Sequence, residues 1–244
     1  MHSHLKHCLG LILCYSISSY SHAAWDIVAW DPPFDYQGQE RPLLYQPIEE
    51  ASQAWHLCVT YPHLKDPYWL SVNYGMVEEV KRLGVNMTVL EAGGYPQLNT
   101  QIEQLKHCTN VASDAIIVGT VSFNGLSPSI RKIAQTTPVV AAVNDIENIG
   151  ISAKAAVSWY SMGQKVGQYL AQRHPTKGAN SAKVVWFPGP KESGWVKFID
   201  DGFHDGIAGS GVQIVAVKWG DTGKEIQRNL LQEVLEDSTD FDYI

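Results

Sequence analysis

The sequence has fewer basic than acidic residues, and it contains no long basic run. Among its 244 residues, 18 are Lys or Arg and 25 are Asp or Glu, which gives a formal net charge of -7 at pH 7. A protein that binds nucleic acid through its phosphates needs the opposite balance on at least one surface. The composition therefore argues against a nucleic-acid-binding protein.

The sequence also lacks the short motifs that mark common catalytic and cofactor sites. It contains no GxSxG, HExxH or phosphate-loop pattern. The stretch GIAGSG, residues 206–211, ends a predicted helix and does not follow a strand, so it does not match a dinucleotide-binding loop. Histidines beyond residue 23 are scattered without metal-ligand spacing. We therefore expect a binding protein without a cofactor or a metal, and not an enzyme.

No apolar run is long enough for a membrane span. The candidate CLGLILCYSI, residues 8–17, falls well short of the roughly 20 residues that a spanning helix needs. It follows the lysine-containing start MHSHLKH and precedes Ser21-His22-Ala23, which has small residues at the two positions that specify cleavage. We expect residues 1–23 to be an export signal and the mature protein to be soluble, without direct membrane insertion.

Cysteine is scarce, and only one pair remains after the expected cleavage. Cys8 and Cys14 lie in the export signal, whereas Cys58 and Cys108 lie in a predicted strand and a predicted helix. An even pair in an oxidising compartment can form a disulfide. The alternative is two buried free thiols, and the sequence leaves both open.

Beyond the signal, residues 24–54 are irregular and rich in proline and aromatic residues, and we expect them to form an extended arm. From residue 55 the apolar spacing alternates between the periods of a strand and a helix. This alternation predicts an α/β fold with doubly wound parallel sheets. The predicted strands cover residues 56–62, 85–93, 114–120, 138–145, 182–189 and 212–220, and the predicted helices cover residues 68–84, 98–111, 127–135, 157–174, 193–211 and 224–237.

The alternating pattern is repeated along the chain. Residues 72–94 resemble residues 199–221, and Asp114 before the strand residues AIIV recurs as Asp242 before Tyr243 and Ile244. Gly75 and Gly84 recur 127 residues later as Gly202 and Gly211. Such an internal repeat indicates two tandem lobes. We expect an N-terminal lobe over residues 55–149 and a C-terminal lobe over residues 150–244.

The second lobe has fewer predicted elements than the first. In the first lobe, the strand at 114–120 continues into a further helix and strand, whereas its counterpart begins at FDYI, residues 241–244. A strand inside a sheet needs partners for its backbone groups. We therefore expect a C-terminally truncated fragment with an incomplete second lobe.

Two facing lobes predict a cleft, and ligands of parallel sheets bind outside the carboxyl ends of the strands. The residues expected there are mostly aromatic, and they are Asp66, Tyr68, Trp69, Tyr95, Trp159 and Trp195. Aromatic faces attract quaternary ammonium groups, and a carboxylate can balance the charge. A sugar is the alternative ligand, although few arginines are present to satisfy its hydroxyls. Each aromatic residue could also pack in the core, which is the expected role of Trp186 and Trp219.

Three stretches carry a resemblance to a known family. HLKDPYWLSVNYGMVEEVKRLGV (63–85) and LEAGGYPQ (90–97), with PPFDYQ (32–37) before them, closely resemble the trimethylamine N-oxide (TMAO)-sensing branch of the type I periplasmic binding proteins. The resemblance implies two α/β lobes around an inter-lobe cleft, with Asp66, Tyr68, Trp69 and Tyr95 at the ligand. Trp159 and Trp195 match no family motif securely.

The resemblance also implies a function in the periplasm. Members of this branch bind TMAO and pair with the periplasmic sensor domain of a membrane histidine kinase in a two-component system. The expected mechanism is a ligand-induced shift between lobe arrangements. The alternative with the same fold is a sugar-binding protein of an ABC uptake transporter. A LacI-like repressor would need a helix-turn-helix head where this chain has an export signal.

Overall fold

The structure is a computed structural model that describes residues 24–34, 38–176, 178, 181–237 and 240–244. The export signal expected over residues 1–23 lies outside these ranges and stays a prediction. The chain divides into two compact units, one up to Glu49 and one from Glu50 onward. Among the described residues, no helix has the length and apolar character needed to cross a membrane.

The elements of the described residues follow the predicted alternation. The strands are β1 Trp25–Asp31, β2 Gln39–Tyr45, β3 His56–Tyr61, β4 Asn86–Glu91, β5 Ala115–Val118, β6 Val139–Val143, β7 Ala153–Ala156, β8 Ala182–Gly189 and β9 Val212–Trp219. The helices are α1 Pro67–Leu83, α2 Leu98–Asn110, α3 Ser127–Ile133, α4 Trp159–Arg173, α5 Gly194–Ile207 and α6 Lys224–Glu236.

The first unit contains a regular strand pair where the sequence suggested an irregular arm. β1 and β2 are antiparallel, with Trp25 opposite Tyr45 and Asp31 opposite Gln39. Pairing satisfies backbone groups that a single extended segment would leave to water. Residues 25–31 and 39–45 of the expected arm therefore form a two-stranded β-ribbon.

The second unit begins with a lobe built on a five-stranded parallel sheet. Its strand order is β4-β3-β5-β6-β7. The central strands are strongly apolar, and residues such as Val59, Ile116 and Ala141 are fully buried. This arrangement confirms the predicted α/β class. The edge strand β7 was not predicted, and it extends the first sheet beyond residue 150, where we expected the second lobe to begin.

The second lobe contains the parallel pair β8 and β9, and Tyr243 adds a parallel bridge to Val184 in β8. The predicted repeat is visible here in atomic detail. Asp114 accepts a hydrogen bond from the backbone of His56 (2.7 Å), and Asp242 accepts one from the backbone of Lys183 (2.8 Å). The two aspartates therefore have the same role, since each accepts a hydrogen bond from the backbone at the start of the neighbouring strand.

The remaining cysteines are joined by a disulfide between Cys58 in β3 and Cys108 in α2. Both residues are fully buried. The structure thus decides between the two alternatives that the sequence left open, and the bridge ties a central strand to a helix that covers the sheet.

Helices α4 and α5 pack backbone to backbone through glycines. A Cβ atom at Gly163 would lie 2.0 Å from the carbonyl oxygen of Ile199, and one at Gly202 would lie 2.1 Å from that of Tyr160. No side chain fits at such separations unless the helices move apart. The second lobe therefore depends on these glycines for its helix packing.

We expect Gly163→Ala to lower the free energy of unfolding by about 3 kcal/mol, because the added methyl group overpacks the α4–α5 contact. Gly75→Ala is the matched control, since a Cβ atom there, on α1, would have no neighbour within 4 Å. That change should stabilise the protein by roughly 0.5–1 kcal/mol through helix propensity. Urea denaturation measures both. Equal effects of the two substitutions would contradict the close helix contact.

Candidate functional site

Helix α1 brings two of the predicted site residues into its first turn. Asp66 is the N-cap, and its Oδ1 accepts a hydrogen bond from the backbone N–H of Trp69 (3.1 Å). Pro67 occupies the first turn, where its missing N–H costs nothing. The Asp-Pro pair therefore fixes where α1 begins, and Tyr68 and Trp69 follow at the cleft end of the helix.

Trp69 is also a core residue, with only 2% of its surface exposed. Its ring centroid lies 5.3 Å from that of Tyr61, and it packs with Val59 in one apolar cluster. The Trp69 ring also covers Gly119, where a Cβ atom would come within 2.5 Å of it. Trp69 is therefore a packing residue, and its contact with a ligand stays a prediction.

The six predicted site residues meet in one closed series of contacts that is completed by His63. We call these seven residues the cleft cluster. The ring centroids of its neighbours lie close together: Tyr68–Trp69 6.0 Å, Tyr68–Trp159 6.4 Å, Trp159–Trp195 5.2 Å, Tyr95–Trp195 6.1 Å and His63–Tyr95 5.6 Å. The Oδ2 atom of Asp66 lies 3.6 Å from Nε2 of His63, which closes the series.

Three helices supply four aromatic residues of the cleft cluster from their first turns, whereas Tyr95 lies in the loop between β4 and α2. Tyr68 and Trp69 begin α1, Trp159 begins α4 and Trp195 begins α5. Since α1 belongs to the first lobe and α5 to the second, the cluster spans the cleft. The structure brings the six predicted residues together, and their contact with a ligand stays a prediction.

Tyr95 lies at the centre of a buried polar network. Its hydroxyl accepts a hydrogen bond from Nδ2 of Asn144 (3.0 Å), which also donates to the carbonyl of Thr120 (2.7 Å). Burial raises the pKa of Tyr95 to about 12, and the side chains of Asn144, Trp69 and Trp195 oppose this rise. Tyr95 is therefore a neutral phenol at physiological pH, able to accept and donate hydrogen bonds.

The two second-lobe candidates differ in their hydrogen bonding. Nε1 of Trp159 donates to the carbonyl of Val143 (3.0 Å), which fixes the indole at the lobe boundary. Nε1 of Trp195 is buried and makes no hydrogen bond of normal geometry among the described residues, although its proximity to the Tyr95 hydroxyl opposes the burial-driven rise in the pKa of that group. A buried donor of this kind is costly unless another group accepts from it. Trp195 is thus the member of the cleft cluster best suited to contact a ligand oxygen.

Sequence reasoning missed three polar residues that shape the site. His63 and Asn144 each follow the carboxyl end of a strand and are almost fully buried. Gln101 in α2 accepts from the backbone of Val121 (2.9 Å) and donates to the carbonyl of Gly119 (2.8 Å), so it holds the loop after β5. The position of His63 and Asn144 just after a strand could have identified them; Gln101 lies on a helix and gave no such indication.

Trp186 and Trp219 were predicted to be packing residues. Trp186 stacks on Phe203 with ring centroids 4.0 Å apart and donates to Asp200 (2.8 Å), which confirms its packing role. Trp219 is 37% exposed and lines a cavity of about 280 Å³ between the lobes. The other residues that line this cavity are Tyr95, Pro96, Val121, Pro190, Lys191, Glu192, Ser193, Gly220 and Asp221.

Few charged side chains lie at the cleft cluster. Lys65 of the first lobe forms an ion pair with Asp221 of the second lobe (2.9 Å), and Asp66 is the one carboxylate within the cleft cluster. Among the described residues, no group of three or more His, Cys, Asp or Glu side chains could hold a metal ion. The site therefore offers aromatic faces, a carboxylate and a few hydrogen-bond donors.

Comparisons with known proteins give the chain's relatives. The periplasmic protein TorT of Escherichia coli strain K12 is 44% identical over 197 residues, which cover 80% of this chain and 56% of TorT. TorT of Escherichia coli O157:H7 matches to the same extent. The chain thus spans little more than half the length of these curated relatives.

Solved structures show the same similarity. A solute-binding protein of an ABC transporter from Bradyrhizobium sp. BTAi1, with bound Bis-Tris, is 43% identical with a TM-score of 0.67, and the match covers 91% of this chain and 66% of that one. The complex of the TorS sensor domain with TorT in the presence of TMAO matches at 42% identity with a TM-score of 0.64, over 78% of this chain and 64% of that one.

The family model for periplasmic binding proteins and the sugar-binding domain of the LacI family matches residues 54–244, which include both lobes. The parallel sheets and the tandem lobes agree with that match. The resemblance read from the sequence is therefore confirmed, and the chain belongs to the family of periplasmic binding proteins and LacI-type sugar-binding domains.

Proposed function

We propose that this protein binds TMAO between its lobes in the periplasm and passes the binding event to the sensor domain of a membrane histidine kinase. The observation that carries this proposal is the cleft cluster, a closed series of aromatic side chains with one carboxylate that spans both lobes. The similarity to TorT, which has been solved in complex with the TorS sensor domain in the presence of TMAO, supports the same ligand and partner.

The chemistry of the cleft cluster suits a methylated ammonium group. The faces of Tyr and Trp rings carry negative electrostatic potential, which attracts a quaternary nitrogen and its methyl groups. Asp66 adds a full negative charge beside the same rings. A sugar would need many hydrogen-bonding partners around its hydroxyls, and the cleft cluster contains no arginine or amide.

The oxide oxygen of TMAO needs a hydrogen-bond donor. Nε1 of Trp195 is buried and makes no hydrogen bond of normal geometry among the described residues, so it is the donor that we assign to this oxygen. The first turns of α1, α4 and α5 also meet at the cluster, and helix N-termini favour negative charge. The cleft thus offers aromatic faces to the cationic end of TMAO and N–H groups to its oxygen.

Signalling follows from the position of the cluster across the cleft. A ligand that contacts Tyr68 of the first lobe and Trp195 of the second favours the arrangement in which both are near it. A sensor domain that contacts both lobes would distinguish this arrangement from others. The buried disulfide fits an oxidising compartment such as the periplasm.

A second candidate function is delivery of a solute to an ABC transporter. The match to the Bradyrhizobium solute-binding protein at 43% identity favours it. Bis-Tris, the molecule bound there, is a tertiary amine with several hydroxyl groups, so its chemistry does not separate amine ligands from sugars. The ligand titration described next distinguishes an amine from a sugar. Binding to a kinase sensor domain distinguishes the sensor function from the transporter function.

Isothermal titration of the purified protein with TMAO, and separately with ribose, tests the ligand. We expect TMAO to bind and ribose not to bind. Tyr68→Ala should weaken TMAO binding by roughly tenfold, because it removes one aromatic face. Tyr74→Ala is the matched control, since Tyr74 lies on the same helix and is 68% exposed, away from the cleft cluster. Binding of ribose in place of TMAO would overturn the proposed ligand.

The partner is tested by mixing the protein with the purified sensor domain of a TorS-type kinase. We expect a complex in size-exclusion chromatography with light scattering, with a stability that depends on TMAO. No complex with the sensor domain, together with TMAO binding, would favour the transporter function.

A further inference from the structure

We propose that His63 is a positioning residue that couples closure of the lobes to the geometry of the cleft cluster, through a contact with Thr222 across the cleft. The proposal rests on the proposed function, because it treats the cleft cluster as the ligand site. It assigns a regulatory property, weaker ligand binding in acid, to a residue that the sequence did not single out.

His63 holds two members of the cleft cluster from within the first lobe. It follows β3 and is 1% exposed. Its ring meets Tyr95 edge-on at 5.6 Å between centroids, and Nε2 lies 3.6 Å from Oδ2 of Asp66. Asp66 caps α1 and thereby positions Trp69. A movement of His63 would therefore shift both Tyr95 and Trp69.

The same Nε2 atom reaches the second lobe. It lies 2.8 Å from Oγ1 of Thr222, which follows β9. Beside this contact, Nζ of Lys65 lies 2.9 Å from Oδ2 of Asp221. We call these four residues, His63, Lys65, Asp221 and Thr222, the clasp. Both first-lobe members come from the loop between β3 and α1, and both second-lobe members come from one loop, so opening the cleft separates both pairs together.

The second-lobe side of the clasp is held by hydrogen bonds within its own lobe. Oδ1 of Asp221 accepts from the backbone N–H of Thr222 (2.8 Å), and the side chain of Gln227 donates to the carbonyl of Asp221 (2.9 Å). The Asp221 side chain is only 10% exposed in its ion pair with Lys65. A preformed loop of this kind loses little freedom when it docks.

The clasp favours a neutral His63. Its Nδ1 atom is buried without a hydrogen-bond partner among the described residues, so a proton there would leave a donor unsatisfied. Burial lowers the pKa of His63 below its ordinary value of 6.5; Asp66, Asp221 and Glu91 oppose this shift, whereas Lys65 adds to it. The neighbouring Tyr95, with a pKa of about 12, stays neutral in this range.

The sign of the pH effect follows from this lowered pKa. When the clasp opens, His63 meets water and its pKa returns toward 6.5. The open form therefore binds more protons than the closed form as pH falls below that value, and acid favours opening. Ligand that needs the closed form should bind fully above pH 6.5 and progressively more weakly below it.

The experiment measures TMAO affinity by titration at about pH 7.5 and about pH 5.5, on either side of the ordinary histidine pKa. We expect the wild type to lose affinity at the lower pH and His63→Gln to lose this pH dependence. Thr222→Val should weaken binding about fivefold at the higher pH, because one hydrogen bond across the cleft is lost. A pH dependence that persists in His63→Gln overturns the proposal.

A matched control is provided by a second histidine–threonine pair within the first lobe. Nε2 of His56 lies 3.0 Å from Oγ1 of Thr88, and both residues are far from the cleft, at the opposite end of β3. His56→Gln should keep the wild-type affinity and its pH dependence. Loss of pH dependence in this variant as well would assign the effect to general stability and overturn the role of His63.

Hydrogen exchange without ligand separates failure of the clasp from failure of the proposed function. At one fixed pH, the amides of residues 220–223 should exchange faster in Thr222→Val than in the wild type, and thermal melting should show that both are folded. Faster exchange in a protein that does not bind TMAO would support the clasp and reject the proposed ligand. Identical exchange in the two proteins would overturn the clasp whatever the ligand.

Discussion

Removing the Cys58–Cys108 disulfide should lower the free energy of unfolding by about 4 kcal/mol. The bridge closes a loop with a sequence separation of 50 residues, and the entropy that such a loop removes from the unfolded chain corresponds to this value. Both cysteines are buried, and the bridge joins the central strand β3 to α2.

Thermal melting measures this effect in the Cys58→Ala/Cys108→Ala variant. We expect the melting temperature to fall by roughly 10 °C relative to the wild type. A reductant should lower the wild-type melting temperature toward that of the variant and leave the variant unchanged. A wild type that melts at the variant's temperature without reductant would show that the bridge does not form.

Replacing Trp69 by alanine should both destabilise the protein and abolish most TMAO binding. The side chain is 2% exposed and packs on Tyr61 and over Gly119, so its removal leaves a cavity that costs about 3–5 kcal/mol. The same change removes an aromatic face from the cleft cluster, which weakens binding by roughly thirtyfold if the ligand is cationic and desolvated.

Stability and TMAO binding must be measured together, because Trp69 packs in the core and is expected to contact the ligand. Urea denaturation gives the first and titration calorimetry of the folded fraction gives the second. Trp186→Ala is the matched control: Trp186 is stacked on Phe203 in the second lobe, so its loss should also destabilise the protein but leave TMAO affinity unchanged. Unaltered binding by folded Trp69→Ala would reduce Trp69 to a packing residue.

The internal repeat shows which structural roles can be predicted from equivalent residues and which cannot. Asp114 and Asp242 have the same role, because each accepts a hydrogen bond from the backbone of the neighbouring strand. Gly84 and Gly211 are also repeated, but Gly84 takes a left-handed conformation (φ 64°) at the end of α1, whereas Gly211 packs against the backbone of Thr176. Identical residues at equivalent positions of the repeat thus have different neighbours and different roles.

Strands were predictable when their burial left an apolar pattern. β3, β5 and β6 carry such runs and were found, whereas β7, with the sequence AKAA, is a mostly exposed edge strand. Its backbone pairs with β6, and backbone hydrogen bonds leave no mark on side-chain composition. The β1–β2 pair was missed for the same reason, since most of its side chains are exposed.

The sequence by itself determined the α/β class and the family, because these depend on periodicity and on short motifs, and it predicted an aromatic cleft from the residue types after strands. Only the tertiary structure decided that Trp69 is also core, that Cys58 and Cys108 are bonded, and that His63 meets Thr222. The last pair lies 159 residues apart in the chain. Such contacts arise from how two independently patterned lobes pack against each other, and no local pattern encodes that distance.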